Sequence, residues 1–222
     1  MNPSTVNTNP TLYFAYGSNL WLHQMHIRCP TAQYIGLAKL VGYKWIISER
    51  GYANVVEVAS DADSNSSSYE NVVYGMVYTL QEDDEAKLDK NEGVPVAYTK
   101  EYLEFTFWTH TPGPVNPAHP EDIKRIDTTG EPTDERKLLV YIDRKRVQEG
   151  VSREEYVVRM NSGIKDAEMC GVTEGYVREV LRRFIPVGEG EGMGDGKGKK
   201  SREVEELARR QAVGFRDESG VF

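Results

Sequence analysis

The 222-residue chain is 39% hydrophobic and 28% charged, a composition that supports one domain with a sizeable core and some appendages. Its 35 acidic and 27 basic residues leave a formal charge of -8, which disfavours electrostatic binding to nucleic acid. No apolar run is long enough to cross a bilayer, and the Asn-, Thr- and Pro-rich start has neither the basic opening nor the apolar stretch of a secretory signal.

In chain order, residues 1–11 read as a disordered leader. Leu12 to Tyr16 is an aromatic, small-apolar run expected as a buried strand, and it breaks abruptly into Gly17-Ser18-Asn19. Trp21 to Arg28 has the look of a short helix ended by Cys29-Pro30. From Gln33 to Val58 the density of Ile, Val, Tyr and Trp predicts two or three strands, with Gly36, Gly42 and Gly51 at bulges or turns. Asp61 to Ser68 is a polar loop, and Val72 to Tyr78 a strong strand. Thr79-Leu80-Gln81-Glu82 has capping-box spacing, so a helix is expected to start there, run through Leu88 and end near Gly93. Tyr98 to Trp108 is another strand, Thr109 to Glu135 a Pro-rich surface loop, and Lys137 to Ile142 a returning strand.

Helices follow. Ser152 and Glu155 form a second capping box, and Tyr156, Val157, Met160 and Ile164 make an apolar face that stops at Gly171. Tyr176, Val177, Val180, Leu181 and Phe184 make another, stopped by Pro186. Residues 187–222 divide into a low-complexity linker, with Gly-Glu and then Gly-Lys repeats over 188–200, and a short helix over Ser201 to Gln211. Strands first and helices last predict an α+β fold: a mixed or antiparallel sheet that closes into a small barrel, flanked by helices, over residues 12–186. Cys29 and Cys170, the only cysteines, are expected as reduced thiols in the cytoplasm.

Two features could carry chemistry. A turn at Gly17-Ser18-Asn19 can aim several backbone N–H groups at one point, the way loops hold anionic or carbonyl oxygens; it could equally be an ordinary connector. Glu92 lies one helical turn after Leu88, so if Leu88 faces the core, Glu92 faces it too. Burial and the helix C-terminus would both raise its carboxyl pKa toward the range of a general base. The plainer reading is a solvated helix-end residue in a charged run. Ser18 has no Gly-x-Ser-x-Gly elbow around it. His23, His26 and Cys29 repeat every third residue, but no second pair at zinc spacing follows, and Gly188 to Lys200 lacks the spacing of a phosphate loop. Tyr13, Tyr98 and Tyr141 sit on predicted strands, where most tyrosines are packing residues.

Together, Tyr13-Phe14-Ala15-Tyr16-Gly17-Ser18-Asn19-Leu20, His26-Ile27-Arg28-Cys29-Pro30, Val73-Tyr74-Gly75-Met76-Val77-Tyr78 and Leu88-Asp89-Lys90-Asn91-Glu92-Gly93-Val94 resemble the γ-glutamylcyclotransferase family in order and spacing. The resemblance runs from about Leu12 to Tyr141, and more loosely to Phe184. It implies a small α+β barrel that cyclises γ-glutamyl compounds to 5-oxoproline and a free amine, with no metal and no cofactor. It implies Glu92 as the acid/base. It also implies a substrate-binding set of Tyr13, Phe14, Ala15, Tyr16, Gly17, Ser18 and Asn19, to which Tyr141 and, as a weaker match, Tyr98 are added. The expected partner is a small γ-glutamyl substrate, with no nucleic acid and no membrane; a homodimer is an option that the helical faces do not prove. The loops at 61–68 and 109–135 and the tail after Pro186 look like additions that would alter which leaving group fits. Two other readings stay open: an enzyme acting on a γ-glutamyl or related amide of a larger natural product, and a binding protein that keeps the barrel without turnover.

Overall fold

The computed structural model describes residues 9–58, 69–188 and 199–216. The expected leader therefore lies outside the described residues except for its last positions, as do the Ser/Asn loop at 61–68 and most of the Gly-rich linker.

Among the described residues there are seven strands and five α-helices, with all the strands before Asp143 and three of the helices after it. β1 (Thr11–Ala15), β2 (Gln33–Val41), β5 (Val72–Leu80), β6 (Thr99–Thr109) and β7 (Asp134–Ile142) form a closed barrel in the order β1-β5-β2-β6-β7. Every pairing is antiparallel except the closing one, where β1 meets β7 in parallel at Tyr13 and Leu139. The sheet is thus mixed and without a free edge inside the barrel, as the strand content suggested. β3 (Tyr43–Ile47) and β4 (Ala53–Glu57) make a separate antiparallel ribbon. The barrel is filled by the alternate residues of its strands, and Phe14 packs tilted against Phe105 with ring centroids 4.5 Å apart.

The helices set the site. α1 (Leu22–Arg28) follows a 3-10 turn over Ser18–Leu20 and stops at Cys29, before Pro30. α2 (Glu82–Asn91) connects β5 to β6, α3 (Glu154–Cys170) packs across the 3-10 turn, α4 is Glu174–Glu179, and α5 (Lys199–Val213) lies against α3 and α1. α2 is pinned by Leu88, which is fully buried and stabilises by roughly 1.5–3 kcal/mol. Its outer side is held to the barrel by Lys100, which pairs with Glu85 and with Asp89 at 3.1 Å, and by the Tyr141 hydroxyl, which donates to Asp89 Oδ1 at 2.7 Å.

Several expectations are corrected. Thr79 is not a helix cap: β5 continues to Leu80, Gln81 is the N-cap and contributes no side-chain bond, and Thr79 Oγ1 accepts from the Gln33 amide instead. Strand pairing with β1 and β2 outcompetes the cap there. The second capping box fails similarly. Arg153 is the N-cap of α3, and Glu155 is drawn into a buried ion pair with Arg159. Tyr16 lies beyond the end of β1, and the helical face over 176–184 is broken at Val180 into α4 and a 3-10 turn. The Pro-rich loop is held away from the site: its Val115 bridges Tyr34, and the Ile126 amide donates to the Cys170 carbonyl at 2.8 Å at the far end of α3. Both cysteines are free and buried. Among the described residues no helix is long and apolar enough to cross a membrane.

Candidate active site

At one end of the barrel a cavity of about 50 Å³ lies between β1, the 3-10 turn, the end of α2 and α3. Glu92 reaches it because of where α2 ends. Glu92 is the helix C-cap, its amide donating to the Leu88 carbonyl at 2.8 Å, and the chain then turns away at Gly93 with φ of +65°, a conformation that favours glycine. Leu88 points into the core, and the carboxylate one turn later points into the cavity, as the shared-face argument requires.

The carboxylate is met by Asn19. Asn19 Nδ2 donates to Glu92 Oε1 at 3.1 Å and to the Tyr13 hydroxyl at 2.9 Å. Its Oδ1 accepts from Gln24 Nε2 at 2.8 Å and from Arg28 Nη1 at 3.1 Å, so the amide's orientation is dictated on both sides. Burial pushes the Glu92 pKa up from its ordinary value of 4.5. Arg28, Arg50, the Asn19 hydrogen bond and Arg159 pull in the opposite direction and lose.

The 3-10 turn faces Glu92 across the cavity. Gly17 is not left-handed, as a tight-turn reading would have it: its φ is -109°. Its requirement is space, because a Cβ there would sit 2.9 Å from the Tyr156 hydroxyl and 3.3 Å from the Ala53 Cβ. That hydroxyl accepts from the Ser18 amide at 3.2 Å and from the Ala53 amide at 3.3 Å, tying the turn to β4. Ser18 Oγ accepts from both Gln24 Nε2 and Arg159 Nη1 at 2.9 Å, which commits it to structure rather than to nucleophilic attack. Arg159 in turn is held by Glu155 in a bidentate pair at 2.8 and 3.0 Å, with both side chains almost fully buried.

Of the residues expected to bind substrate, Tyr13, Tyr16, Gly17, Ser18, Asn19, Tyr98 and Tyr141 all line this cavity with Glu92. Phe14 and Ala15 do not. The strand turns Phe14 into the barrel core, where it packs on Phe105, and Ala15 is buried at the end of β1. Tyr98 donates to the Ala53 carbonyl at 2.8 Å and Tyr16 to the Tyr141 carbonyl at 2.6 Å, so the tyrosine walls are themselves braced. Burial raises the pKa of Tyr13, Tyr16, Tyr98 and Tyr141, and brings Tyr156 to about 12, so all keep their hydroxyl protons at physiological pH.

The sequence reading missed Arg28, Tyr52, Asn91, Tyr156, Arg159 and Phe215, all of which line the cavity. Tyr156 sits on the apolar face of α3 and was indistinguishable from core. A signal did exist for Arg159: a charged residue four positions from Glu155, on the face carrying Met160 and Tyr156, is out of place unless paired. Phe215 had none, since it arrives from beyond a low-complexity segment.

The fold is thus a closed barrel with a half-buried, amide-held carboxylate and a 3-10 turn lining one small cavity. The chain belongs to the gamma-glutamyl cyclotransferase, AIG2-like family, whose model matches residues 13–127. It is 31% identical over 93 residues to a Bos taurus gamma-glutamylcyclotransferase and 30% identical over 90 residues to that of Mus musculus. Each match covers 37% of this chain and 44% of the relative, so the similarity spans less than half the length of either. In fold it is similar to an uncharacterized Homo sapiens protein (TM-score 0.60, 21% identity, 90% of this chain and 99% of that one). It is also similar to a structure described as gamma-glutamyl cyclotransferase (TM-score 0.57, 20% identity, 90% and 98%).

Proposed function

We propose that this protein converts a γ-glutamyl amine to 5-oxoproline and the free amine, with Glu92 as the proton carrier. The supporting observation is the placement of Glu92: a carboxylate with a raised pKa, in one small cavity with Gly17, Ser18 and Asn19 of the turn and with Tyr13, Tyr98 and Tyr141.

The chemistry needs no protein nucleophile. The α-amine of the glutamyl group attacks its own γ-carbonyl carbon, forming the ring C–N bond, and collapse of the tetrahedral intermediate breaks the amide C–N bond to the leaving amine. The α-ammonium sheds two protons on its way to the lactam N–H, and the departing nitrogen takes up two to leave as an ammonium ion; Glu92 carries them one at a time, so proton and charge balance over the cycle. A carboxylate at about 4.3 is a weak base for an ammonium group, and the upward shift of Glu92 narrows that gap. Folding the substrate into a reactive geometry can supply roughly 7–11 kcal/mol of the barrier. The rigid walls suit that task, because Tyr13, Tyr16 and Tyr98 are each fixed by a hydrogen bond to the surrounding protein.

The positive charge of Arg28 beside the turn complements the α-carboxylate of a γ-glutamyl group, whereas that of Arg159 is already met by Glu155. Burial and then the neighbouring Arg159 bring the Arg28 pKa down to about 10, which still leaves it charged at neutral pH. The experiment is incubation of the purified chain with γ-glutamyl-alanine, glutathione and γ-glutamyl-ε-lysine, with 5-oxoproline read by mass. Release from at least one of them, abolished in Glu92→Gln, is expected; no release from any of the three overturns the reading.

A further inference from the structure

Phe215 belongs to two cavities. On one side it lines the 50 Å³ inner cavity with Glu92. On the other it lines a hollow of about 160 Å³ bounded by Lys90, Gly93, Val96 and Ala97. Asn91 also borders both, and the Phe215 amide donates to Asn91 Oδ1 at 3.1 Å, so ring and amide together form the partition.

The partition is delivered by α5. Arg28 donates from Nη2 to the Gln211 carbonyl at 2.7 Å and from Nε to the Ala212 carbonyl at 2.9 Å. Gln211 then bridges the following turn, accepting from the Arg216 amide at 2.8 Å and donating to the Arg216 carbonyl at 2.9 Å. The Phe215 ring lies edge-on to Tyr52, centroids 4.9 Å apart, and 5.8 Å from the Arg159 guanidinium. The backbone before Phe215 is thus held firmly by Arg28, while the ring itself rests on these edge contacts and is partly exposed, with Arg159 and Tyr52 buried.

Size makes the partition consequential. The inner cavity, about 50 Å³, has about a third of the room of the outer hollow, about 160 Å³, so a leaving group that extends beyond the reacting γ-carbonyl finds more space past the ring than beside Glu92. The outer hollow, bordered by Lys90, Arg50, Val96 and Ala97, is the larger of the two and offers Lys90 as a cation to an aminoacyl chain ending in a carboxylate. Resting on the cyclisation reading, we infer that Phe215 is the residue that determines leaving-group length. With the ring in place the site takes a small leaving amine, and with the ring displaced the two cavities join and a peptidyl leaving group extends past Asn91 toward Lys90.

The test compares the full-length chain with Phe215→Ala and Phe215→Trp on γ-glutamyl-alanine and glutathione. Turnover is read as 5-oxoproline release. Binding of the same two compounds is read by calorimetry in chains that also carry Glu92→Gln. Phe215→Ala is expected to raise the glutathione to γ-glutamyl-alanine ratio of kcat/KM, and of affinity, by about tenfold or more, and Phe215→Trp to lower it. Active variants with unchanged ratios overturn the gate and leave the cyclisation standing. A shifted affinity ratio without 5-oxoproline from any chain leaves the gate and overturns the cyclisation, and absence of binding overturns both. Should Phe215→Ala not fold, Phe215→Leu keeps an apolar contact on Tyr52 while shortening the side chain, and the same ratios decide.

Discussion

A single amide joins the two halves of the pocket: Asn19 Nδ2 donates to Glu92 Oε1 at 3.1 Å, while Asn19 Oδ1 is held by Gln24 and Arg28. The residues lie 73 positions apart in the chain, so the bond reports the barrel's closure as much as local geometry. It also opposes the upward push of burial on the carboxyl group.

Glu92→Gln tests the carboxylate directly. Loss of the proton carrier is expected to cut kcat/KM by about 10²–10⁴-fold or more. The same change is expected to stabilise the fold. A carboxyl whose pKa is raised on folding binds more protons in the native state, so stability falls as pH climbs from the unfolded value of about 4.5 through the raised native value. The glutamine variant lacks this term, and its Tm should exceed the parent's at pH 7 while the difference closes below pH 4. A lower Tm at pH 7 would show that the ionised carboxylate stabilises the fold on balance.

Asn19→Ala removes a hydrogen bond that favours the ionised form, so the Glu92 pKa should rise further and the acidic limb of the kcat/KM profile should move to higher pH. The variant also strands buried donors on Gln24 and Arg28, at a cost of about 1–3 kcal/mol in urea unfolding. An unmoved acidic limb would mean that another group sets it.

Gly17→Ala places a methyl group against the Tyr156 hydroxyl. The Ser18 and Ala53 amides lose their shared acceptor if that ring moves, and activity is expected to fall at least about tenfold. Adding Tyr156→Phe removes the clashing oxygen, so the double variant should be less impaired than the two single effects sum to, with a coupling of about 0.5–3 kcal/mol. Simple additivity would disconnect the glycine from the tyrosine.

Glu155→Gln leaves Arg159 buried without its counter-charge and is expected to cost about 3–5 kcal/mol in chemical denaturation. Replacing both with apolar residues should recover much of that stability yet not activity, because Arg159 also braces Ser18 Oγ. Full activity in the double variant would remove Arg159 from the site's support.

The two thiols should be inert in the native protein. Burial raises both Cys29 and Cys170 to about 12, far from the thiolate form needed for attack on a disulfide reagent. Ellman's reagent should titrate both in denaturant and neither on the same timescale without it.

Much of the molecule was readable in the residues. The aromatic run ending in Gly17-Ser18-Asn19, the strand density from Gln33 onward and the helical spacing of Tyr156 to Ile164 are local signals, and β1, β2 to β4 and α3 lie where those signals place them. The capping boxes misled because hydrogen-bonding partners elsewhere in the fold, β1 and β2 for Thr79 and Arg159 for Glu155, took the residues that would have made them.

What the sequence determined on its own is the periodic part: which positions face a core, where glycine and proline stop an element, and that Leu88 and Glu92 share one side of a helix. Only the tertiary structure decided that this side opens on a cavity, that Gly17 is required for the room it leaves Tyr156, and that a ring from position 215 lines the pocket. The physical reason is range. Backbone preference and hydrophobic period act over a few residues, whereas the site is assembled from hydrogen bonds such as Ser18 to Tyr156, 138 residues apart, and Arg28 to the Ala212 carbonyl, 184 apart. These contacts exist only once the barrel has closed and α3 and α5 have packed against it.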